Sequence, residues 1–509
     1  MKKRIIAVGL SGVMALSLAA CGGGNGDSTG SSSGTADASS GSGEVKKVIM
    51  AFPTYTGAPA DTQLVQDAMN AITVDKLGIE VELQISDIGS YSQNMTLALS
   101  GGETVDLAVT VGFAFANAVS QDYVIDLESD DLITTYGQGI IDAIGWDYLD
   151  ACRVGGTLYG VPQNKDVAQG RGCAAVATEY LDGIGYEFDH EAEIVKITQE
   201  ELDDIYAQLH EKYPDVEVYR PTGMSMQQFS NVDPVGGSVF GVLLDYGKEL
   251  NVVNLFTSDF YKEYCERMYM YNQNGYISQD AATDTTGVTE LVKAGTLMSY
   301  TTGGKPGIKA QETSLCGRDM TIFQTLEDYV TSTSIASMPW VIPVTTSDAA
   351  AAMTLLNEFF TNPELANLLA WGIEGTHYVV GEDGLATFAD GIDASTSGWN
   401  HSMGWMMPNQ FITEVWEGNS PDLWTEMDNF NKGAEKSAAS GFTFDNASVA
   451  NEITAVQNAY NEYQASIEYG FTDPETGIPE MNEKLMTAGL DKIIAEKQRQ
   501  LDEWAQTQQ

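Results

Sequence analysis

The sequence predicts an α/β protein whose doubly wound sheets are divided between two large lobes. The chain has 509 residues, and the 466 that follow a short Gly- and Ser-rich segment are too many for one hydrophobic core. Patterns of buried strands and amphipathic helices alternate along this body. The hydrophobic fraction of the whole chain, 43%, is ordinary for a globular protein.

The N-terminus predicts a lipoprotein leader. Three basic residues precede one apolar run, 5–20, which ends in Leu18-Ala19-Ala20-Cys21. This ending resembles the lipobox of bacterial lipoproteins, in which the cysteine is diacylated and becomes the mature N-terminus. An ordinary signal peptide with an incidental cysteine is the alternative. Residues 21–43 are almost wholly small and polar, so we expect a flexible tether.

The body after the tether is strongly acidic. It carries 22 basic and 70 acidic residues, a net charge near −48. This charge disfavours nucleic acid and anionic lipid as partners, and it disfavours anionic ligands unless basic residues gather locally. No later segment approaches eighteen uninterrupted apolar residues, so the lipid on Cys21 is the only membrane anchor we expect.

The first part of the body alternates strand and helix, as a doubly wound sheet does. Ligands of such sheets bind beyond the carboxyl ends of the strands. That rule makes the loops after the first and third strands candidate rims of a cleft, with Tyr55 and Phe113 as candidate ligand contacts. The predicted elements are strands at 45–52, 79–85 and 106–111 and helices at 60–76 and 91–100.

A second α/β region follows Pro162. Thr198 and Glu201 fit a capping box that opens a helix, and Ser258 is a plausible cap for another. The predicted elements are helices at 198–212, 258–275, 348–360, 363–371 and 479–504 and strands at 294–300 and from 340. The predicted bounds are 1–20 for the leader, 21–43 for the tether, 44–165 for lobe 1, 166–334 for lobe 2, 335–400 for a return to lobe 1, and 401–509 for a hinge-proximal loop and a helical region mainly in lobe 2.

Three stretches carry a family resemblance. Residues 156–162 (GTLYGVP) resemble the strand that leads into the first inter-lobe crossing of family 1 extracellular solute-binding proteins, the maltose-binding-protein superfamily. Residues 371–378 (WGIEGTHY) resemble a motif of the LplA/LipO-like lipoprotein branch, with Trp371 where that branch has Tyr. The segment from 441 to 504 is similar to the C-terminal region of the same branch.

The resemblance implies a periplasmic-binding-protein-like fold, with a ligand cleft between two lobes and several hinge crossings. It also implies a monomer that is lipid-anchored on the extracellular face of a Gram-positive-type bacterium and delivers a carbohydrate, such as an oligosaccharide, to the permease of an ABC importer. A peptide-binding receptor is the alternative within binding proteins. An adhesin or sensor is a third class, but the repeats typical of adhesins are absent.

The sequence holds no recognisable catalytic or metal-binding motif. The four histidines have no paired metal spacing, and there is no nucleophile elbow and no P-loop. We therefore expect no enzymatic activity, no metal and no cofactor.

Aromatic residues beside amides mark a candidate sugar site, because sugars stack on aromatic faces and bond to planar amides. Trp399, Asn400, Trp405, Asn409 and Gln410 lie within twelve residues, beside Gly and Pro. Packing in the core is the alternative for each tryptophan, since most aromatic rings are buried.

Other candidate ligand contacts lie near the inferred crossings. Asn164 and Asp166 follow Pro162, where a polar hinge turn is the alternative. Thr302 and Lys305 follow a predicted strand, in a loop that lacks the aromatic residue common in the superfamily. Trp340 begins the return to lobe 1.

Four cysteines remain besides Cys21, namely Cys152, Cys173, Cys265 and Cys316. They are widely spaced without any CxxC motif, so both buried free thiols and disulfides stay open at this point.

Overall fold

The body is built on two β-sheets, one of four strands and one of seven, each packed against helices. The computed structural model describes residues 45–55, 57–111, 115–400 and 404–508, and all of these belong to one compact unit. The predicted leader, Cys21, the tether and Phe113 lie outside the described residues. No helix among the described residues is both long enough and apolar enough to cross a membrane.

Lobe 1 begins with a parallel sheet. The central strand β1 pairs in parallel with β2 and β3, as the alternating strand and helix pattern predicts. The strands up to the first crossing are β1 (Lys46–Thr54), β2 (Ile79–Asp87), β3 (Leu107–Val109), β4 (Arg153–Val154) and β5 (Thr157–Leu158). The helices are α1 (Thr62–Leu77), α2 (Ile88–Gly101), α3 (Phe115–Ser120), α4 (Leu132–Tyr136) and α5 (Gln138–Asp150).

Lobe 2 is built on a larger mixed sheet. Its long first strand β6 (Gln169–Ala177) is buried along almost its whole length and pairs antiparallel with three other strands. The other strands are β7 (Val195–Lys196), β8 (Glu217–Arg220), β9 (Leu297–Gly304), β10 (Met320–Gln324) and β11 (Asp328–Val330). The helices are α6 (Thr178–Ile184), α7 (Gln199–Lys212), α8 (Ser225–Gln228), α9 (Asp259–Gln273), α10 (Val288–Ala294) and α11 (Ile308–Cys316).

The chain then returns to lobe 1 before it ends on lobe 2. The edge strand β12 (Trp340–Val341) pairs antiparallel with β3. The remaining strands are β13 (Tyr378–Val380), β14 (Ala386–Phe388) and β15 (Glu435–Lys436), and the remaining helices are α12 (Ala349–Thr361), α13 (Pro363–Trp371), α14 (Leu423–Gly433), α15 (Ala450–Asn461), α16 (Gln464–Glu468), α17 (Pro474–Ala488) and α18 (Leu490–Thr507). Single turns of 3-10 helix lie at Ser129–Asp131, Val235–Gly237, Asp245–Gly247, Leu255–Thr257, Gly404–Met406, Gln410–Ile412 and Ala447–Val449.

Local sequence rules explain several of these boundaries. Thr198 and Glu201 form the predicted capping box at the start of α7, and Ser258 caps α9 as predicted. The single helix predicted over 479–504 is wrong at its centre. Gly489 adopts a left-handed conformation, with φ of 108°, and ends α17 before α18 begins.

Each lobe has its own hydrophobic core, and neither core comes from one continuous stretch. The lobe 1 core takes buried residues from 48–161 and from 340–407, whereas the lobe 2 core takes them from 174–323 and from 439–501. Met406 and Met407, in the predicted hinge-proximal loop, belong to the lobe 1 core. The predicted lobe bounds stay predictions.

All four remaining cysteines are buried free thiols, which settles the choice left open above.

Candidate functional site

Two segments run side by side between the lobes. Val161 and Trp340 exchange backbone hydrogen bonds of 2.8 Å, so the first crossing is paired with the return strand. Three residues after Val161, Asn164 N donates to Pro408 O and Gln410 N donates to Asn164 O, both at 2.9 Å. The backbone of the first crossing is therefore held by two later parts of the chain.

The Asn431 side chain fixes the crossing on the side of lobe 2. Asn431 lies in α14 and is buried. Its Oδ1 accepts from the N–H groups of Val167 and Ala168 at 3.0 and 3.1 Å, and its Nδ2 donates to Lys165 O at 2.7 Å. These three bonds enclose Asp166 and hold its backbone in one conformation.

Asp166 forms an ion-pair cluster with two lysines. Lys305 Nζ lies 2.9 Å from Asp166 Oδ2, and Lys165 Nζ lies 3.5 Å from Asp166 Oδ1. Burial pushes the pKa of Asp166 upward, but the two ammonium groups outweigh burial and hold this pKa below its usual value. The carboxylate is therefore charged at neutral pH, with lone pairs left to accept from a ligand.

One side of this cluster opens into a cavity of about 390 Å³, which we call the polar compartment. The crossing, the end of β9, the start of α11 and a turn after β11 form its walls. Half of its polar side chains carry hydroxyls. The hydroxyl-bearing residues that line it are Thr302, Thr331, Thr333, Ser334 and Ser337.

The other side of the cluster opens into a cavity of about 610 Å³, which we call the aromatic compartment. Trp371, Trp416 and Trp424 line it, together with Gln410 and Asn419. Asp166, Lys305 and Gln311 line both compartments, so the two cavities adjoin at these three residues. We call the two adjoining compartments together the groove; one part carries hydroxyls and the other aromatic rings.

Two of the three tryptophan rings of this groove bond to the backbone, and the third packs on one of them. Trp371 Nε1 donates to Glu414 O at 3.1 Å, and Trp424 Nε1 donates to Thr413 O at 2.7 Å. The rings of Trp371 and Trp416 pack against each other with centroids 4.7 Å apart. Because little conformational freedom remains to be lost on binding, the rings are suited to stacking on the C–H face of a sugar.

Only part of the predicted site lines this groove. Asp166, Thr302, Lys305 and Gln410 line one or both compartments. Asn164 and Asn409 instead bond to each other between two hinge segments.

Three other candidates lie away from the groove lining. Tyr55 is 54% exposed on the loop after β1. Asn400 Nδ2 donates to Ala394 O, and Trp405 packs half-buried against the lobe 1 core.

Trp340 and Trp399 are core residues in this structure. They are 0% and 2% exposed, and their indole nitrogens donate to Met406 O and Leu369 O. A ring that is covered on all sides offers no face to a sugar. These two tryptophans therefore pack in the core and do not fit their predicted role as ligand contacts.

Sequence reasoning missed the three tryptophans of the aromatic compartment. The pattern used for 399–410 continues downstream, where Trp416 precedes Gly418 and Asn419 and Trp424 follows Pro421. Extending the search for aromatic residues beside amides, Gly and Pro past Gln410 would have found two of the three.

Comparison with known proteins places this geometry in context. Residues 438–506 match the family model of DUF3502, a domain of unknown function. The chain is 28% identical over 502 residues to a carbohydrate ABC transporter substrate-binding protein of Streptococcus pneumoniae serotype 4, with 96% of each chain covered.

Solved structures of solute-binding proteins are similar in fold, and two of these proteins illustrate the likeness. One is the N-glycan transport solute-binding protein of Streptococcus pneumoniae, with a TM-score of 0.78, 24% identity, and coverage of 91% of this chain and 100% of that one. It has also been solved with Man1GlcNAc and with Man5GlcNAc, with TM-scores of 0.69 and 0.67. The other is an extracellular solute-binding protein family 1 member of Alicyclobacillus acidocaldarius, with a TM-score of 0.53, 12% identity, and coverage of 88% and 100%. The chain therefore has the two-lobed α/β fold of solute-binding proteins.

Proposed function

We propose that this protein is the extracellular solute-binding component of an ABC importer, that it binds a carbohydrate of the oligosaccharide class, and that it delivers this ligand to the membrane permease. The observation that carries the proposal is the wall formed by Trp371, Trp416 and Trp424 beside the charged carboxylate of Asp166. Aromatic faces with a few fixed polar groups are suited to a ligand that is apolar on its C–H faces and polar at its edges. The relative at 28% identity, which is described as a carbohydrate transporter component, supports the same function.

Calorimetry on the purified body, 44–509, tests this function. We expect at least one of Man1GlcNAc, Man5GlcNAc or a fructo-oligosaccharide to bind and to raise the melting temperature, because a ligand of the folded state alone stabilises it. Trp416→Ala should weaken that binding roughly tenfold to a hundredfold, as expected when a stacking platform is lost. Trp146→Ala is the control, since this exposed ring on α5 lies outside both compartments.

A peptide receptor is the competing function, and the same calorimeter distinguishes the two. Tight binding of mixed peptides, together with no response to any glycan, would overturn the carbohydrate proposal. We further propose that the protein does not alter its ligand. Chromatography of an oligosaccharide after long incubation should recover it unchanged.

The N-terminal cysteine and the branch-specific motifs support a more detailed proposal. We propose that Cys21 carries the lipid, that the protein is a monomer on the outer face of the cell membrane, and that it belongs with the LplA/LipO-like branch. Cys21→Ser should release the protein into the medium or leave its leader uncleaved. Unchanged membrane association of this variant in washed cells would refute the lipid anchor.

A further inference from the structure

The turn after β11, which forms one wall of the polar compartment, has a side that faces the cavity and a side that is buried in lobe 2. In the turn after β11, Thr331, Thr333 and Ser334 line the compartment. Ser332, which lies between them, is buried and turned toward the lobe 2 core. The turn therefore presents hydroxyls to a ligand on one side and is held from the other.

The Asp233 carboxylate binds the buried side of this turn through two hydrogen bonds. Ser332 N donates to Asp233 Oδ2 at 2.8 Å, and Ser332 Oγ donates to Asp233 Oδ1 at 2.7 Å. The carboxylate is completely buried, and backbone bonds of 2.8 and 3.0 Å exchanged with Leu243 fix its own residue. Two bonds to one carboxylate fix both the position and the tilt of the turn.

The hydroxyls on the cavity side depend on the same turn. Thr331 N donates to Ser334 Oγ at 3.0 Å, and the hydroxyls of Thr331 and Ser334 lie 2.9 Å apart. A shift of Ser332 would therefore move the two hydroxyls that line the compartment on either side of it.

The C-terminal region supports Asp233 from behind. Lys497 in α18 is completely buried, and its Nζ donates to Ser238 O at 3.0 Å and to Gly241 O at 2.9 Å. These carbonyls belong to the loop that joins Asp233 to Leu243. Gly236 in this loop has φ of 74°, and a Cβ there would lie 2.6 Å from Phe444 Cβ, so the loop packs tightly on the C-terminal region.

We propose that Asp233, supported by Lys497, is a positioning residue that holds the Thr331–Ser334 turn in its ligand-binding geometry. The C-terminal region that matches a domain of unknown function would then act as a rigid support for the binding groove. This inference rests on the proposed carbohydrate function for its ligand, but the position of the turn can be measured without any ligand.

Hydrogen exchange measured by mass spectrometry tests whether Asp233 holds the turn. Asp233→Asn keeps the size of the side chain but turns one acceptor into a donor that faces Ser332. We expect the peptide that covers 330–337 to exchange about tenfold faster or more, while peptides of lobe 1 stay unchanged. Lys497→Met, which keeps the volume, should cause a smaller effect in the same peptide.

Affinity for Man5GlcNAc is the second measurement, taken well below the melting temperature. Asp233→Asn should bind about tenfold more weakly. Glu468→Gln is the matched control, because it also changes a buried carboxylate of lobe 2 but makes no bond to the turn. If Asp233→Asn does not fold, Ser332→Ala removes one of the two bonds from the other partner and should show the same exchange effect at reduced size.

The outcomes separate the two proposals. Unchanged exchange at 330–337 in a folded Asp233→Asn protein would overturn the inference whether or not a glycan binds. Faster exchange with unchanged Man5GlcNAc affinity would overturn it as well, because Asp233 would then act on the turn alone. Failure of the wild-type protein to bind any glycan would count against the proposed function, and the exchange result would still decide whether Asp233 holds the turn.

Discussion

Asn164 and Asn409 lie side by side where two segments pass between the lobes, and Asn164 Nδ2 donates to Asn409 Oδ1 over 3.1 Å. Asn409 Nδ2 in turn donates to Phe360 O at the end of α12 in lobe 1. Together with the backbone bonds around them, these contacts make the two crossings one paired element. A hinge of this kind bends without letting either segment move separately.

We expect ligand to bring the lobes together around this paired hinge. Small-angle X-ray scattering of the body should show a smaller radius of gyration once a glycan that binds has been added. A glycan that binds at micromolar concentration and leaves the scattering curve unchanged would identify a rigid receptor instead.

Asn431→Ala should destabilise the protein and weaken ligand binding. It removes three hydrogen bonds to the backbone around Asp166, at about 1 kcal/mol each, so we expect a loss of about 2–4 kcal/mol in the free energy of unfolding. Urea denaturation measures this loss. Asn461→Ala, at an exposed amide, should change little, and equal effects of the two variants would contradict the role given to Asn431.

Lys305→Met should make ligand binding depend on pH. The pKa of the wild-type Asp166 carboxyl is lowered, so the group stays charged through the pH range in which an ordinary aspartate takes up its proton. Without the Lys305 ammonium this pKa rises, because burial is opposed by only one lysine, and we expect the affinity of the variant to fall with decreasing pH where that of the wild type stays constant. Calorimetry between pH 4 and 8 measures this change.

Lys309→Met is the control for the Lys305 variant. Lys309 lies four residues after Lys305, in the first turn of α11, but its ammonium bonds to His190 O and it lines neither compartment. A flat pH profile for Lys305→Met, or the same pH dependence in Lys309→Met, would show that the ion pair does not tune the site.

Trp399→Phe should lower the melting temperature by several degrees and leave affinity nearly intact. The substitution removes the indole donor to Leu369 O and leaves a gap in the lobe 1 core. Differential scanning calorimetry and a binding isotherm on the same sample measure both effects. A large loss of affinity at a temperature where the variant is fully folded would contradict this and would show that Trp399 contacts the ligand.

Glu468→Gln should flatten the pH dependence of stability. Burial raises the pKa of Glu468 from 4.5 to about 7, although Tyr460, Gln464 and Tyr261 donate hydrogen bonds to the carboxylate. The folded state therefore holds its proton at pH values where the unfolded state has lost it. The contribution of Glu468 to stability is complete below about pH 4.5 and is lost as the pH rises through 7, on the order of 3 kcal/mol in all.

Urea denaturation at pH 5 and pH 8 measures this change. The wild-type protein should lose more stability across the interval than Glu468→Gln does. Other groups near the carboxyl stay neutral over this range, because burial raises the pKa values of Tyr261, Tyr264, Tyr460 and Cys265. Parallel losses in the two proteins would mean that Glu468 does not titrate as described.

The sequence was a good guide where local chemistry decides structure. Capping residues such as Thr198 and Ser258 determine where helices begin, and the structure confirms both. The C-terminal helix was wrongly predicted to be continuous, because the helical pattern on either side of Gly489 hides a single left-handed residue.

The ligand groove was only partly predictable. Asp166 and Lys305, which line the groove, were predicted as ligand contacts because they follow a crossing and a strand, positions near a cleft in this fold. Trp399 and Trp416 lie in similar loops beside Gly and amides, yet one ring is covered by the lobe 1 core and the other lines the groove. Only contacts between distant parts of the chain distinguish them, and these contacts leave no mark in the local sequence.

Each hydrophobic core combines two stretches that are far apart in the sequence, and this affects folding during synthesis. The central strand β6 ends at Ala177, but the core around it also needs Leu490, Ile493 and Leu501 of α18. Roughly 320 residues separate the two, or about 15–65 s of synthesis at 5–20 residues per second. For that interval the apolar residues 173–177 of β6 have no complete covering, and we expect holding chaperones to bind a nascent chain of this protein until α18 emerges.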